Sequence, residues 1–448
     1  MHCQPNVIFI FSDQQRAQDC GYMGNPDIKT PNMDALAEQC VVFKIAVSGH
    51  PVCSPYRASL LTGQYSLTHK VITNNVCLGN EAVSLAQAFK AGGYDTAYIG
   101  KWHIDGHGSR SSFIPRERRQ GFDYWKVLEC THDYNNSYYY GDENIKLKWD
   151  GYDAEAQTRC AQNYIKQHSR KKPFLLVLSW GPPHNPYETA PKKFKALYDP
   201  AVLTPRPNVP WELTEKTKTE LAGYYAHISA LDFYLGEIIK TIDEAGISED
   251  TLLVFTSDHG DMLGSHGADR KQHPWDESIL VPFLLSYPGL LGRKQQVISM
   301  PINTPDIMPT LLDICDLPIP ATVEGTGYRP FITGEKEQND IAALIQCPHP
   351  FGEFSKLDGG REYRGIRTTR YTYTRDLKGP WLLYDNQVDP YQMKNLVNAA
   401  AYNDLQKTLD RQLLKILDEH SDKFLTGEYY MNLFGYPMNS KGVVPYTP

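Results

Sequence analysis

Residues 6–14 read NVIFIFSDQ, five consecutive apolar residues that end abruptly in Ser12, Asp13 and Gln14. A run this continuous, without polar alternation, suits a strand buried on both faces. Four further runs have the same character: residues 96–100 (TAYIG), 174–180 (FLLVLSW), 252–257 (LLVFTS) and 281–287 (VPFLLSY). Between them lie stretches with helical spacing or capping signals, at residues 33–39, 57–61, 82–91, 154–167, 215–244 and 305–312. Alternation of this kind predicts an α/β fold with a large, mostly parallel sheet sandwiched by helices.

The chemistry-bearing residues follow the ends of these runs. Asp13 and Gln14 follow the first, Lys101 and His103 the second, His184 the third, and Asp258 and His259 the fourth. Ligands of open α/β sheets bind beyond the carboxyl ends of the strands, so four runs deliver candidate groups to one edge. Two carboxylates and an amide oxygen make a hard site for Ca²⁺ or Mg²⁺. The imidazole of His259 is softer and admits Mn²⁺. A single Asp after a strand is better explained as a helix cap; two, each with a polar neighbour at a common edge, favour a cation. Lys101, just past a buried strand, is poorly explained by packing. With Arg57 and Lys271 it can surround a small tetrahedral dianion, and His103 and His184 add proton donors or acceptors. His184 lies in PPHNP (182–186), where a rigid-loop role competes equally.

Composition narrows the class. The chain has 448 residues, 22% charged and 41% hydrophobic, as expected of a globular enzyme. A net charge of −7 provides no basic surface for nucleic acid, so an anion must be held by a local cluster of cations. Tyr (29) and Trp (7) suit a wet, carbohydrate-lined cleft as well as an ordinary core. No stretch approaches the length of a membrane span. The first apolar run begins at Val7 with no signal peptide before it, which leaves the compartment open: cytoplasmic, or exported if a leader has been removed. The nine cysteines are odd in number and irregularly spaced, so buried thiols are expected for all but Cys53.

After about Pro318 the pattern changes. Residues 367–373 (RTTRYTY) alternate like a half-exposed antiparallel strand, 382–385 can pair with it, and 403–419 reads as one amphipathic helix. The expected division is a catalytic domain over 1–335 and a smaller α+β subdomain, an antiparallel sheet plus helix, over 336–448. Residues 104–150, rich in Gly, Arg, Tyr and Asn, read as a long insertion lining the site.

Cys53-Ser54-Pro55-Tyr56-Arg57, followed by Leu61-Thr62-Gly63, is the most specific motif, set just ahead of an expected helix. Taken alone, Cys53 could be a plain nucleophile with a nearby base, or an inert core thiol. Together, these segments resemble the type I, formylglycine-dependent sulfatases of the alkaline phosphatase superfamily, in the manner of bacterial glycan sulfatases. The likeness runs from residue 5 to about 396, through 6–14, 30–36 (TPNMDAL), 53–63, 100–103, 183–186, 256–260 with 264–267, 271–282 and 383–396.

The resemblance implies an alkaline phosphatase-like fold and a sulfuric ester hydrolase acting on a sulfated sugar or oligosaccharide. It implies that Cys53 becomes Cα-formylglycine, hydrated to a diol, one hydroxyl of which meets the cation and attacks sulfur. It implies that Asp13, Gln14, Asp258 and His259 hold one divalent metal, Ca²⁺ foremost, together with the modified Cys53. Arg57 and Lys101 would steady the diol, and His103 would deprotonate its second hydroxyl. His184 and Lys271 would grip the sulfate and protonate the leaving alcohol. A formylglycine-generating or anaerobic sulfatase-maturating enzyme is the implied partner.

Three positions depart from the commoner pattern: Gln14 for a second Asp, His259 for Asn, and Tyr56 for Ser. The first two occur both in bacterial glycan sulfatases and in formylglycine-dependent phosphonate monoester hydrolases, which blurs metal and substrate class and makes phosphonate or phosphodiester hydrolysis the alternative. A non-catalytic protein of the same fold is a third reading. Specificity is expected in residues 104–150, 188–215 and 361–367, with His107, Arg110, His132, His273 and Arg361 as candidate substrate contacts.

Overall fold

The apolar runs fold side by side. The computed structural model describes residues 4–168, 171–339 and 341–447. The strands of the main sheet are β1 (Asn6–Asp13), β2 (Val41–Phe43), β3 (Asp95–Lys101), β4 (Tyr124–Leu128), β5 (Phe174–Pro183), β6 (Thr251–Ser257), β7 (Phe283–Ser286) and β8 (Gln296–Ile298). Their order across the sheet is β8-β2-β7-β6-β1-β5-β3-β4. β6, β1, β5, β3 and β4 are mutually parallel, whereas β7 is antiparallel to both of its neighbours.

Burial on both faces explains the unbroken apolar runs. Val7, Phe9 and Phe11 join one core with Leu175, Val177 and Val254. Ile8 and Ile10 join the opposite core with Leu176, Leu178, Leu253 and Phe255. The covering helices are α1 (Pro31–Ala37), α2 (Cys53–Thr62), α3 (Leu85–Ala91), α4 (Asp153–His168), α5 (Thr214–Glu244) and α6 (Thr304–Ile314). α2, α3 and α6 pack on the first face, and α1, α4 and α5 on the second. α3 begins with a capping box, in which Ser84 and Gln87 exchange hydrogen bonds.

The C-terminal sheet consists of β9 (Ala343–Cys347), β10 (Tyr363–Arg367), β11 (Tyr371–Asp376) and β12 (Gly379–Asp385), all antiparallel and in that order. One face carries α7 (Asn403–Glu419) through Leu409, Leu413 and Leu417. The other contributes Ala343, Ile345 and Cys347 to a cluster with Ala17, Ile45, Val47 and Ile279, which binds it to the main sheet.

Three expectations are corrected. Residues 367–373 are not one strand: Thr368 caps a turn by accepting from Arg370 N and Tyr371 N, and this turn joins β10 to β11. The helix expected from Arg57 starts at Cys53, because Pro55 falls in its first turn, where a missing N–H costs nothing. Residues 104–150 are not purely an insertion, since they contain β4. That strand is at the sheet edge, so Trp125 and Val127 point into the core while Lys126 lies over the rings of Tyr124 and Tyr139.

Candidate active site

Register creates the site. Ser12 pairs with Ser257 in neighbouring parallel strands, so Asp13 and Asp258 leave the sheet edge side by side. Gln14 then turns sharply, with φ +74°, and its N–H donates to Asp258 Oδ1 at 3.0 Å. Lys101 is the last residue of β3, and Gly100 before it has φ +109°. A Cβ at Gly100 would lie 2.0 Å from Ser179 O, so no other residue fits. Cys53 is the first residue of α2, at the positive end of the helix dipole.

These elements converge on the sulfur of Cys53. Lys271 Nζ is 3.1 Å from it, His259 Nε2 3.2 Å, and Asp13 Oδ1 and Lys101 Nζ each 3.8 Å. Arg57 Nη2 donates to Asp13 Oδ2 at 3.2 Å and Asp258 Oδ2 at 3.1 Å, while Nη1 donates to Lys101 O and Ser179 Oγ. Lys101 Nζ also donates to Asp13 Oδ2. Each carboxylate therefore gives Oδ2 to cationic side chains and turns Oδ1 towards His259 Nε2, at 3.7 Å and 3.5 Å. Ligand atoms of Asp13, Cys53, Asp258 and His259 all lie within 4.8 Å of one another. Gln14 Oε1 faces the same group, accepting from Lys271 Nζ at 3.2 Å.

Burial sharpens the electrostatics. Desolvation opposes ionisation of Asp13, yet the ammonium groups of Lys101 and Lys271 hold its carboxyl well below the usual range. Burial and Asp13 push the Cys53 thiol up, but Lys101, Lys271 and His259 pull it below its ordinary value. His103 and His184 are held neutral: burial dominates both, reinforced by Lys101 and Arg57 at the first and by Lys271 at the second. Both ring nitrogens of His103 are buried without hydrogen-bond partners. His184 Nδ1 donates to Asn185 O at 3.0 Å, and its ring stacks on His132 with centroids 4.5 Å apart. Asp13 and Asp258 are fully buried, whereas Lys271 and His184 remain 8% and 7% exposed, which sets these two on the open side.

The loop after Lys271 is bolted to the C-terminal sheet. Gln272 Nε2 donates to Phe351 O at 2.9 Å, and Phe351 N donates back to Gln272 Oε1 at 3.3 Å. Tyr363 Oη donates to Gln272 O, and Arg367 grips both oxygens of Asp276 at 3.0 Å.

Of the candidate substrate contacts, only His132 touches a site side chain in this way. His273 lies against Trp275 and Phe354, and Arg361 pairs with Asp376 while lying over Trp381. His107 Nδ1 donates to Asp105 O, and Arg110 is exposed. The sequence reading missed Asp261 and Tyr187. Asp261 accepts from Gln14 Nε2 at 2.7 Å and from the Tyr187 hydroxyl. Its position, two residues past His259, was the available signal.

The sulfatase family profile matches residues 5–317, and that of the N-sulphoglucosamine sulphohydrolase C-terminal region matches residues 264–419. The chain is 44% identical over 449 residues to an ulvan-active sulfatase of Formosa agariphila, covering 99% of this chain and 87% of that protein. It is 30% identical over 483 residues to an endo-4-O-sulfatase of Bacteroides thetaiotaomicron, covering 94% and 93%. A solved structure from work on glycosaminoglycan metabolism by Bacteroides thetaiotaomicron superposes with a TM-score of 0.86 at 29% identity, covering 96% of this chain and 98% of that one.

Proposed function

The chain belongs to the sulfatase family, and from that premise we propose that it removes sulfate from a sulfated carbohydrate, with Cys53 in its formylglycine form as the nucleophile. The observation that carries the reading is the position of Cys53 Sγ, 3.1–3.8 Å from Lys271, His259, Lys101 and Asp13. Once oxidised and hydrated, that side chain supplies a diol, so the sulfated form can break down by loss of a proton rather than by attack of a second water.

The donor set fits a divalent cation. Asp13 Oδ1, Asp258 Oδ1 and His259 Nε2 turn towards one another, Gln14 Oε1 adjoins them through Lys271 Nζ, and the outer carboxylate oxygens are already satisfied by Arg57 and Lys101. Three oxygens to one nitrogen favour Ca²⁺, with Mg²⁺ or Mn²⁺ as the alternatives. When bound, the cation offsets charge on the sulfuryl oxygens and favours the ionised nucleophile.

The remaining roles follow from exposure and charge. Arg57 is spent on the two carboxylates and holds the frame. Lys101 and Lys271 stabilise negative charge as it develops on the transferring group. His103, neutral and with both nitrogens unpartnered, is the base that takes the proton from the second hydroxyl. Lys271 and His184 flank the open side, through which the sugar must leave. Lys271 depresses the basicity of His184. A sulfate oxygen paired with Lys271 screens that charge, so His184 can then carry a proton to the leaving alcohol.

Cys53 is 1% exposed in the fold. Its oxidation by a formylglycine-generating or anaerobic sulfatase-maturating enzyme must therefore precede burial of the 53–63 segment. The test is sulfate release from a panel of sulfated mono- and disaccharides by protein whose Cys53 peptide has been checked by mass spectrometry, with an aryl phosphodiester alongside. Sulfate release by the parent and a loss of at least about 10⁴-fold in Cys53→Ala are expected. Unchanged release from Cys53→Ala refutes the reading, and strong preference for the diester replaces it with phosphodiester hydrolysis.

A further inference from the structure

Gln14 is the unusual member of the metal-binding set. It is neutral, and a carboxamide turned over by 180° presents its NH₂ instead of its oxygen at little intrinsic cost. Only the oxygen can face a cation. Gln14 Nε2 donates to Asp261 Oδ2 at 2.7 Å, and Oε1 accepts from Lys271 Nζ at 3.2 Å. A carboxylate demands a donor and an ammonium demands an acceptor, so both neighbours enforce the same orientation.

Asp261 is itself held from every side. It is fully buried. Its Oδ1 accepts from Leu263 N and Arg270 N, both at 3.2 Å, and its Oδ2 also accepts from the Tyr187 hydroxyl. Behind that hydroxyl, Arg270 Nη1 donates to Tyr187 Oη at 2.6 Å, and the guanidinium lies 5.4 Å from the centre of the Tyr187 ring. A buried carboxylate is costly unless its charge is used, and none of the hydrolytic roles above uses this one.

We propose that Asp261, braced by Tyr187 and Arg270, is the positioning residue that makes the neutral Gln14 amide a cation ligand. The inference rests on the metal site described above. A carboxylate hydrogen-bonded to the amide nitrogen polarises the amide and raises the negative character of Oε1. The site thus recovers, at one remove, part of the charge that a second ligating Asp would bring directly.

The test is calcium binding by the metal-stripped full chain, measured by titration calorimetry, with circular dichroism to confirm folding. Asp261→Asn removes the charge and turns one acceptor into a donor, and is expected to weaken calcium binding by about 10–100-fold in folded protein. Pairing it with Gln14→Glu lets the introduced asparagine amide donate to the introduced carboxylate, and is expected to recover about tenfold or more over Asp261→Asn alone. Asp261→Asn protein that binds calcium within about twofold of the parent overturns the inference, as does a pair that recovers nothing. If Asp261→Asn does not fold, Tyr187→Phe, which removes only the hydroxyl bracing Asp261, is expected to lose about threefold or more, and unchanged affinity overturns the inference. A parent that binds no Ca²⁺, Mg²⁺ or Mn²⁺ overturns the metal reading itself, and the inference with it.

Discussion

Replacing Arg57 with alanine probes the link between the frame of the site and its cation. The guanidinium is 1% exposed, lies 4.9 Å from the centre of the Phe11 ring and makes four hydrogen bonds, two of them to Asp13 and Asp258. Its removal leaves two buried carboxylates short of their countercharge, and stripping one partner from a buried ion pair costs about 3–5 kcal/mol. For 448 residues, at about 2.1 cal/mol/K of unfolding entropy per residue, 1 kcal/mol moves the melting temperature by about 1 °C. Arg57→Ala is therefore expected to melt about 3–5 °C below the parent in EDTA. Calcium should erase about half of that deficit, because the cation takes over as countercharge on the Oδ1 side of both carboxylates. Arg57→Lys, which keeps the charge but loses the planar fork, should fall between. Thermal melts with and without calcium decide it. An EDTA-treated Arg57→Ala protein melting within about 1 °C of the parent would refute the reasoning, and so would a deficit indifferent to calcium.

Lys271→Ala should lower kcat/KM for sulfate release by about 10²–10³-fold, because its ammonium is proposed to stabilise charge on the transferring group; steady-state kinetics measure the loss. Glu129 gives a pH test. Burial and Asp105 raise its carboxyl from 4.5 to about 7, against hydrogen bonds from the N–H groups of Asp105 and Gly106. A raised carboxyl binds its proton more tightly in the folded state, so its contribution is complete below the unfolded value of 4.5 and is lost as pH rises towards 7. Glu129→Gln should therefore gain stability relative to the parent at pH 8 and gain none at pH 4, as read from denaturant melts at the two pH values.

Much of this was legible in the sequence because burial on both sheet faces leaves unbroken apolar runs. Asp13, Lys101, His184 and Asp258 stand at the ends of four such runs, and parallel pairing turns that linear fact into adjacency. What escaped was set by context rather than by local pattern. β2 is three residues long, too short to announce itself. β4 lies at the edge and alternates Tyr, Trp, Lys and Val, so it carries no continuous apolar run. The alternation in residues 367–373 looked like one strand because a tight turn can be made from threonine and arginine without glycine or proline. Asp261 went unread because a carboxylate that supports an amide has no spacing rule of its own.

The bolting of Gln272 to Phe351 and of Asp276 to Arg367 makes the two halves of the molecule co-dependent. Chimeras that graft the C-terminal sheet of one relative onto the body of another would inherit an ammonium, proposed to grip sulfate, whose anchor points belong to a different ancestor. Such hybrids would fold around intact cores and still misaim the cation, unless those four contacts travelled together.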